Sequence, residues 1–239
     1  MNHNALPEIT CSEFTDSMED LLGPSSPNSH NGSTDMLWFH FEGRIPETTL
    51  ACIMWLRDHD MFKDVGQKNL TISVELEKPG REGLHALALA ADVVFYSSSW
   101  AKGEGYVDAE SCLRDQARIL RQNSPRTSPK SLICPWGAEG ASSILLSSMQ
   151  PFDEMIDASD LQVVHSDAYV ASERRVVDTT GAGDTFIAGT LFGLICRGPW
   201  VRGPQAWPMK SVLDFANNLA GRKITQAGLF VEDISFMDG

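Results

Sequence analysis

Residues 70–96 read LTISVELEKPGREGLHALALAADVVFY. The run 70–76 (LTISVEL) is rich in β-formers and predicts a strand. Residues 82–91 carry a helical pattern, and 92–96 (DVVFY) is a second short apolar strand. The same order repeats outward. Upstream, the aromatic run 36–41 (MLWFHF) fits a buried strand, and 46–59 places Leu50, Ile53, Met54 and Leu56 at helical spacing. Downstream, 108–121 is an amphipathic helix closed by the breaker run 123–129, and 131–135 (SLICP) is a strand. A turn at 136–140 leads into 141–147, and 161–166 is again a strand. Residues 182–196 and 207–226 are long helical stretches. Strands that are apolar throughout and alternate with helices predict an α/β fold: a doubly wound, mostly parallel sheet with helices on both faces. Crossovers in such sheets are right-handed, and ligands sit outside the carboxyl ends of the strands. No internal repeat is visible.

Composition narrows the function classes. The chain has 239 residues, 42% of them hydrophobic and 21% charged, which suits a packed core. Lys and Arg total 19 against 32 Asp and Glu, a net charge of −13. That balance opposes nucleic-acid binding, which needs a basic face, while leaving room for a local anion pocket. Apolar stretches such as 84–94 are too short to span a bilayer, which takes about 20 residues, and no secretory signal is visible at the N-terminus. The expectation is a cytoplasmic protein with no membrane partner. The five cysteines are scattered and without CxxC, so they read as free or buried thiols. At the start, Thr10 or Ser12 is placed to cap a short helix running to Leu22, with Phe14, Met18, Leu21 and Leu22 on one side. Residues 23–35 are rich in Pro, Ser, Asn and Gly and read as a loop. The expected organisation is an N-terminal segment, 1–35, followed by one domain, 36–239.

The chemistry concentrates in 176–189, VVDTTGAGDTFIAG. Here an extended Val176-Val177 runs through Asp178-Thr179-Thr180 into Gly181-Ala182-Gly183-Asp184 and then a helix. Two glycines at a helix start let the backbone approach an anion, and the helix N-terminus adds partial positive charge. Such a site stabilises charge on a transferred phosphoryl group. Asp184 beside it is placed to take a proton from an attacking hydroxyl. The plainer alternative is a glycine-rich loop with Asp184 as a helix cap.

The string DTTGAGDTF resembles the C-terminal signature of the PfkB (ribokinase-like) carbohydrate kinases. WFHFEGR (38–44), ISVELEKP (72–79), ADVVFYS (91–97), CPWGAEGA (134–141), HSDA (165–168) and DFANNLAGRK (214–223) resemble the ketohexokinase branch, in the same order. The resemblance implies a ribokinase-like fold and ATP-dependent phosphorylation of a sugar hydroxyl, with a ketohexose such as fructose as acceptor. It implies Asp184 as catalytic base and Gly181, Ala182 and Gly183 as the anion hole for the γ-phosphate. Gly137, Ala138, Glu139 and Gly140 would contact ATP, and Phe186, Ala216, Asn217 and Ala220 would lie near the adenine. It further implies Mg²⁺ with ATP, a monovalent cation such as K⁺ near Asp178, and a homodimer in full-length family members.

The family's N-terminal features have no counterpart here: a strand with a sugar-binding aspartate, a Gly-Gly-Asn region, lid strands and an ATP-contacting arginine. The chain therefore reads as the nucleotide half of such a kinase. Three readings follow: an active sugar kinase, a catalytically inactive nucleotide-binding remnant, and a fragment that does not fold alone. The Asn-x-x-Glu pattern of many sugar kinases is replaced by Tyr96-Ser97-Ser98-Ser99, which leaves metal handling open. Glu75 and Glu77 are candidates for it, against a solvated strand end paired with Lys78 or Arg81.

Remaining residues have simpler readings. His40 is expected to be a satisfied core histidine, on the same strand face as Glu42. Cys134 is expected to be buried, and Trp136 to pack. Arg174 and Arg175 are equally a phosphate-facing pair or a solvated one. The acidic run 153–160 lacks the glycine and closing glutamate of a Ca²⁺ loop and reads as a surface connection.

Overall fold

The computed structural model describes residues 8–22, 37–59, 70–123, 130–146, 161–169, 176–197 and 206–228. Six strands form one sheet in sequential order. They are β1 (Leu37–Glu42), β2 (Leu70–Leu76), β3 (Val93–Tyr96), β4 (Lys130–Pro135), β5 (Ala141–Leu146) and β6 (Val163–Ser166). β1 to β4 are parallel. β5 is antiparallel to both β4 and β6. Five strands thus share one direction, and the sheet is mostly parallel as the sequence predicts.

The helices are α1 (Cys11–Leu22), α2 (Pro46–Asp58), α3 (Leu84–Ala90), α4 (Ser98–Gly103), α5 (Ala109–Asn123), α6 (Ala182–Phe192) and α7 (Met209–Lys223). Because the strand order never reverses, right-handed crossovers place successive connecting helices on the same face. The period-2 pattern of the strands fits this arrangement. Leu70, Ile72, Val74 and Leu76 of β2, with Val94 and Tyr96 of β3, join one core with residues of α2, α3 and α5. Val93 and Phe95 of β3 and Ile133 of β4 join a second core on the other face, under Phe186 and Ile187 of α6 and Val212, Leu213 and Ala216 of α7. Among the described residues helices thus pack on both faces, the C-terminal pair on the second.

Local sequence sets the element ends. Thr10 caps α1 through a reciprocal pair. Its hydroxyl accepts from the Glu13 amide at 3.2 Å, while the Glu13 carboxylate accepts from the Thr10 amide at 2.8 Å. Phe14 then packs α1 against Phe39, Phe41 and Trp55, so 8–22 belongs to the body formed by β1 and α2. Pro46 opens α2 in the first turn, where its missing N–H is harmless. The Ser97 hydroxyl caps α4 by accepting from the Trp100 amide at 3.0 Å. The expected helix over 182–196 ends at Phe192 and continues as one π-helical turn, Gly193–Arg197. At Gly193 a Cβ would come within 2.9 Å of Val212, so glycine lets α7 pack closely.

Among the described residues, all five cysteines are free and no helix is long and apolar enough to cross a membrane. Cys134 and Trp136 are buried as expected. His40 is not a core residue. It is exposed, because β1 is the edge strand and no described helix covers its end on that face. The loop expected at 23–35, the Arg174-Arg175 pair and the acidic run 153–160 lie outside the described residues.

Candidate active site

The expected motif enters α6 through a backbone held by α7. The Val177 and Asp178 amides donate to the Ile224 carbonyl at 2.8 and 3.2 Å. Lys223, fully buried, donates from Nζ to the Asp178 main-chain oxygen at 3.0 Å and faces its carboxylate at 3.7 Å. The Asp178 carboxylate also accepts from the Thr180 amide at 2.9 Å, and this bond above all holds its pKa below the usual carboxylate range. Gly181 then turns the chain with φ 76°, a left-handed conformation that favours glycine.

The first turn of α6 is open. Thr185 N donates to the Gly181 carbonyl at 2.9 Å, and the Thr185 hydroxyl caps the same oxygen at 2.7 Å. Among the described residues, the amides of Gly183 and Asp184 find no acceptor. A Cβ at Gly183 would meet nothing within 4 Å, so packing does not demand glycine there. Gly183 and Asp184 are both exposed. Two free amides, a helix N-terminus and a carboxylate thus face open space together, a geometry suited to an anion.

That space continues into a cleft of about 590 Å³ at the carboxyl ends of the strands. Its walls include Ala182, Gly183, Phe186, Asn217 and Ala220 from the C-terminal helices. Gly137, Ala138 and Gly140 line it from the turn after β4. Glu139 does not. It faces a separate hollow with Asp108, Arg114 and His165, because the Gly137–Glu139 turn is a 3-10 helix that presents alternate sides. Ala216 is fully buried beneath the cleft against Gly189, one helical position away from the wall. Asn217 is buried and spent on structure: its amide group donates to the carbonyls of Ser166 and Asp167 at 3.0 and 3.1 Å. Gly140, at φ 87°, allows β4, β5 and β6 to meet there, since a Cβ would lie 2.0 Å from the Ser166 carbonyl oxygen.

Glu75, at the end of β2, also lines the cleft. Burial, followed by the charges of Glu77, Glu42 and Asp184, pushes its carboxyl up to about 7. Glu77 instead pairs with Lys78 at 3.5 Å near the surface. No three His, Cys, Asp or Glu side chains among the described residues form a metal cage. A Mg²⁺ held by one or two carboxylates and substrate phosphates needs no such cage, and Glu75 and Asp184 fit that donor chemistry. The sequence reading missed Tyr169, Ile224 and Thr225 as cleft walls. Tyr169 follows β6, and its ring stacks under the Arg222 guanidinium at 5.5 Å. Its place just beyond a strand's carboxyl end was the available signal.

A family model described as pfkB family carbohydrate kinase matches residues 161–231. The chain is 32% identical to a ketohexokinase of Mus musculus over 190 residues, covering 80% of this chain and 53% of that protein. It is 28% identical over 141 residues to an acarbose 7(IV)-phosphotransferase of Actinoplanes sp., covering 58% and 39%. A ribokinase structure from Giardia lamblia superposes with a TM-score of 0.62 at 19% identity, over 92% of this chain and 59% of that one, a likeness of fold. The chain thus spans about half the length of the curated relatives it matches.

Proposed function

On the premise that this chain belongs to the PfkB family of carbohydrate kinases, we propose that it binds ATP with Mg²⁺ in the 590 Å³ cleft and transfers a phosphoryl group to a sugar hydroxyl. The carrying observation is the pair of acceptor-free amides at Gly183 and Asp184 beside the exposed Asp184 carboxylate. Asp184 accepts the proton of the attacking hydroxyl. The α6 amides take up charge on the transferred group. Phe186, Ile187 and Ala220 supply an apolar wall for the adenine. Mg²⁺, when bound, would neutralise phosphate charge, and Glu75 and Asp184 would hold it. The monovalent cation expected near Asp178 draws no support from that carboxylate, which the Thr180 amide and Lys223 already engage.

The acceptor we propose is a ketohexose such as fructose, following the ketohexokinase relative. The second relative's name gives acarbose as an alternative to assay alongside it. A thermal melt with and without Mg²⁺–ATP tests the binding half. At a hundredfold excess over Kd the nucleotide stabilises the chain by about 2.7 kcal/mol. An unmoved melting curve overturns the proposal.

A further inference from the structure

The hollow that Glu139 faces has a volume of about 660 Å³, in the range of small-molecule sites. It backs onto the cleft across two short segments. Trp136 and Glu139 line the hollow, while Pro135, Gly137, Ala138 and Gly140 line the cleft. After β6, Asp167 lines the hollow and Ala168 the cleft. The turn after β4 and the end of β6 thus stand between the two.

The polar groups of the hollow define what it can hold. Trp136 is only 6% exposed, and Lys102 covers its ring at 4.9 Å. Among the described residues its indole Nε1 has no acceptor, yet solvent still reaches it. Of the two cavities Trp136 lines the hollow alone, so its N–H opens there. That group only donates. Around it stand four carboxylates, Asp108, Glu110, Glu139 and Asp167, against the one guanidinium of Arg114. Arg114 is already engaged, by Glu110 at 2.7 Å and by the Leu161 carbonyl at 3.0 Å. Asp108 accepts from the Ser111 amide at 2.7 Å. His165 spans the buried Ser142 at 2.9 Å and Asp167 at 3.4 Å. The Glu139 carboxylate is exposed and has no partner among the described residues.

These groups exclude most ligand classes. An anion meets four carboxylates and a guanidinium that is already paired. A bare metal ion finds no cage of three ligands among the described residues. A simple ammonium suits the carboxylates and leaves the indole N–H unmet. A hydroxyl donates to a carboxylate and accepts from an indole N–H at once.

We infer that the hollow is a second small-molecule site, for a neutral polyhydroxylated ligand of the sugar class. Trp136 donates to one of its oxygens, and Glu139 accepts from its hydroxyls. The assignment does not depend on the kinase reading, because the turn after β4 separates the hollow from the cleft. NMR of the whole chain with isotope-labelled tryptophan tests it, the Trp136 indole signal being identified from Trp136→Phe. The probes are D-fructose, D-glucose, maltose and sorbitol, with spermidine and inorganic phosphate as charged controls. The expected result is a saturable shift of the Trp136 Nε1–H signal with at least one polyol and with neither control. Glu139→Ala weakens that binding about tenfold, the size of one lost hydrogen bond to a charged group. The melting temperature stays unchanged, since Glu139 is exposed. A Trp136 signal unmoved by all four polyols overturns the proposal. So does a response to spermidine or phosphate alone, or a polyol response that Glu139→Ala leaves intact.

Discussion

The buried ammonium of Lys223 lies 3.0 Å from the main-chain oxygen of Asp178, tying the end of α7 to the segment that enters the motif helix. The contact holds Gly181–Asp184 in place from behind. Replacing Lys223 with Met removes a charge-assisted hydrogen bond and leaves the half-buried Asp178 carbonyl short of a donor. The expected cost is about 1–3 kcal/mol in denaturant unfolding, with weaker binding of Mg²⁺–ATP. Unchanged stability and nucleotide affinity would show that the Ile224 bonds alone position the segment.

Gly140 and Gly183 make opposite predictions. At Gly140 a Cβ would collide with the Ser166 carbonyl at 2.0 Å, on a backbone with positive φ. Gly140→Ala should destabilise the chain by at least about 2 kcal/mol. At Gly183 a Cβ meets no protein atom within 4 Å. Gly183→Ala should keep the melting temperature within a degree or two and weaken nucleotide binding, because the methyl group occupies the anion's space. Equal melting temperatures for the two variants would refute the contrast.

The pattern of what the sequence revealed follows from the range of the interactions. β2 was legible to its ends because its alternation is set by its own residues; the glycines at 181–183 by themselves fit a capped loop as well as an anion site, and only the longer string DTTGAGDTF singled them out. The exposure of His40 was not legible, since it depends on which strand ends the sheet. That Glu139 faces away from the cleft lined by Gly137 and Ala138 was not legible, because a 3-10 helix rotates side chains through 120° per residue. Ala216 lies beneath the cleft and Asn217 along it, and what each does there is set by partners far along the chain, Gly189 and Ser166, which no local pattern displays.

Glu75 gives the fold a pH dependence. Its folded-state carboxyl is raised to about 7 from an ordinary value of 4.5. The folded chain therefore holds a proton that the unfolded chain has lost across that window. Stability from this group falls as pH rises from about 4.5 to about 7 and stays low above it. Glu75→Gln should flatten that slope and raise stability at pH 8, measured by urea unfolding at several pH values. A slope identical to wild type would exclude Glu75 as its source.

Arg57 and Asp92 form a buried ion pair at 2.6 Å, and the same Asp92 oxygen accepts from the Ile72 amide at 2.8 Å. The pair joins α2 to the start of β3 and the middle of β2. Arg57→Met leaves the Asp92 charge buried and should cost about 3–5 kcal/mol. A loss under 1 kcal/mol would mean that water reaches the carboxylate.

The central claim is that Asp184 and the amides beside it carry out phosphoryl transfer to a sugar. The most direct measurement is ADP release from Mg²⁺–ATP by the whole chain and by Asp184→Asn, each with and without D-fructose. Sugar-dependent release by the wild type is expected, with a loss of about 10²–10⁴-fold in the variant and the ATP-induced rise in melting temperature retained. Release that is independent of sugar, or equal in the two proteins, would contradict it.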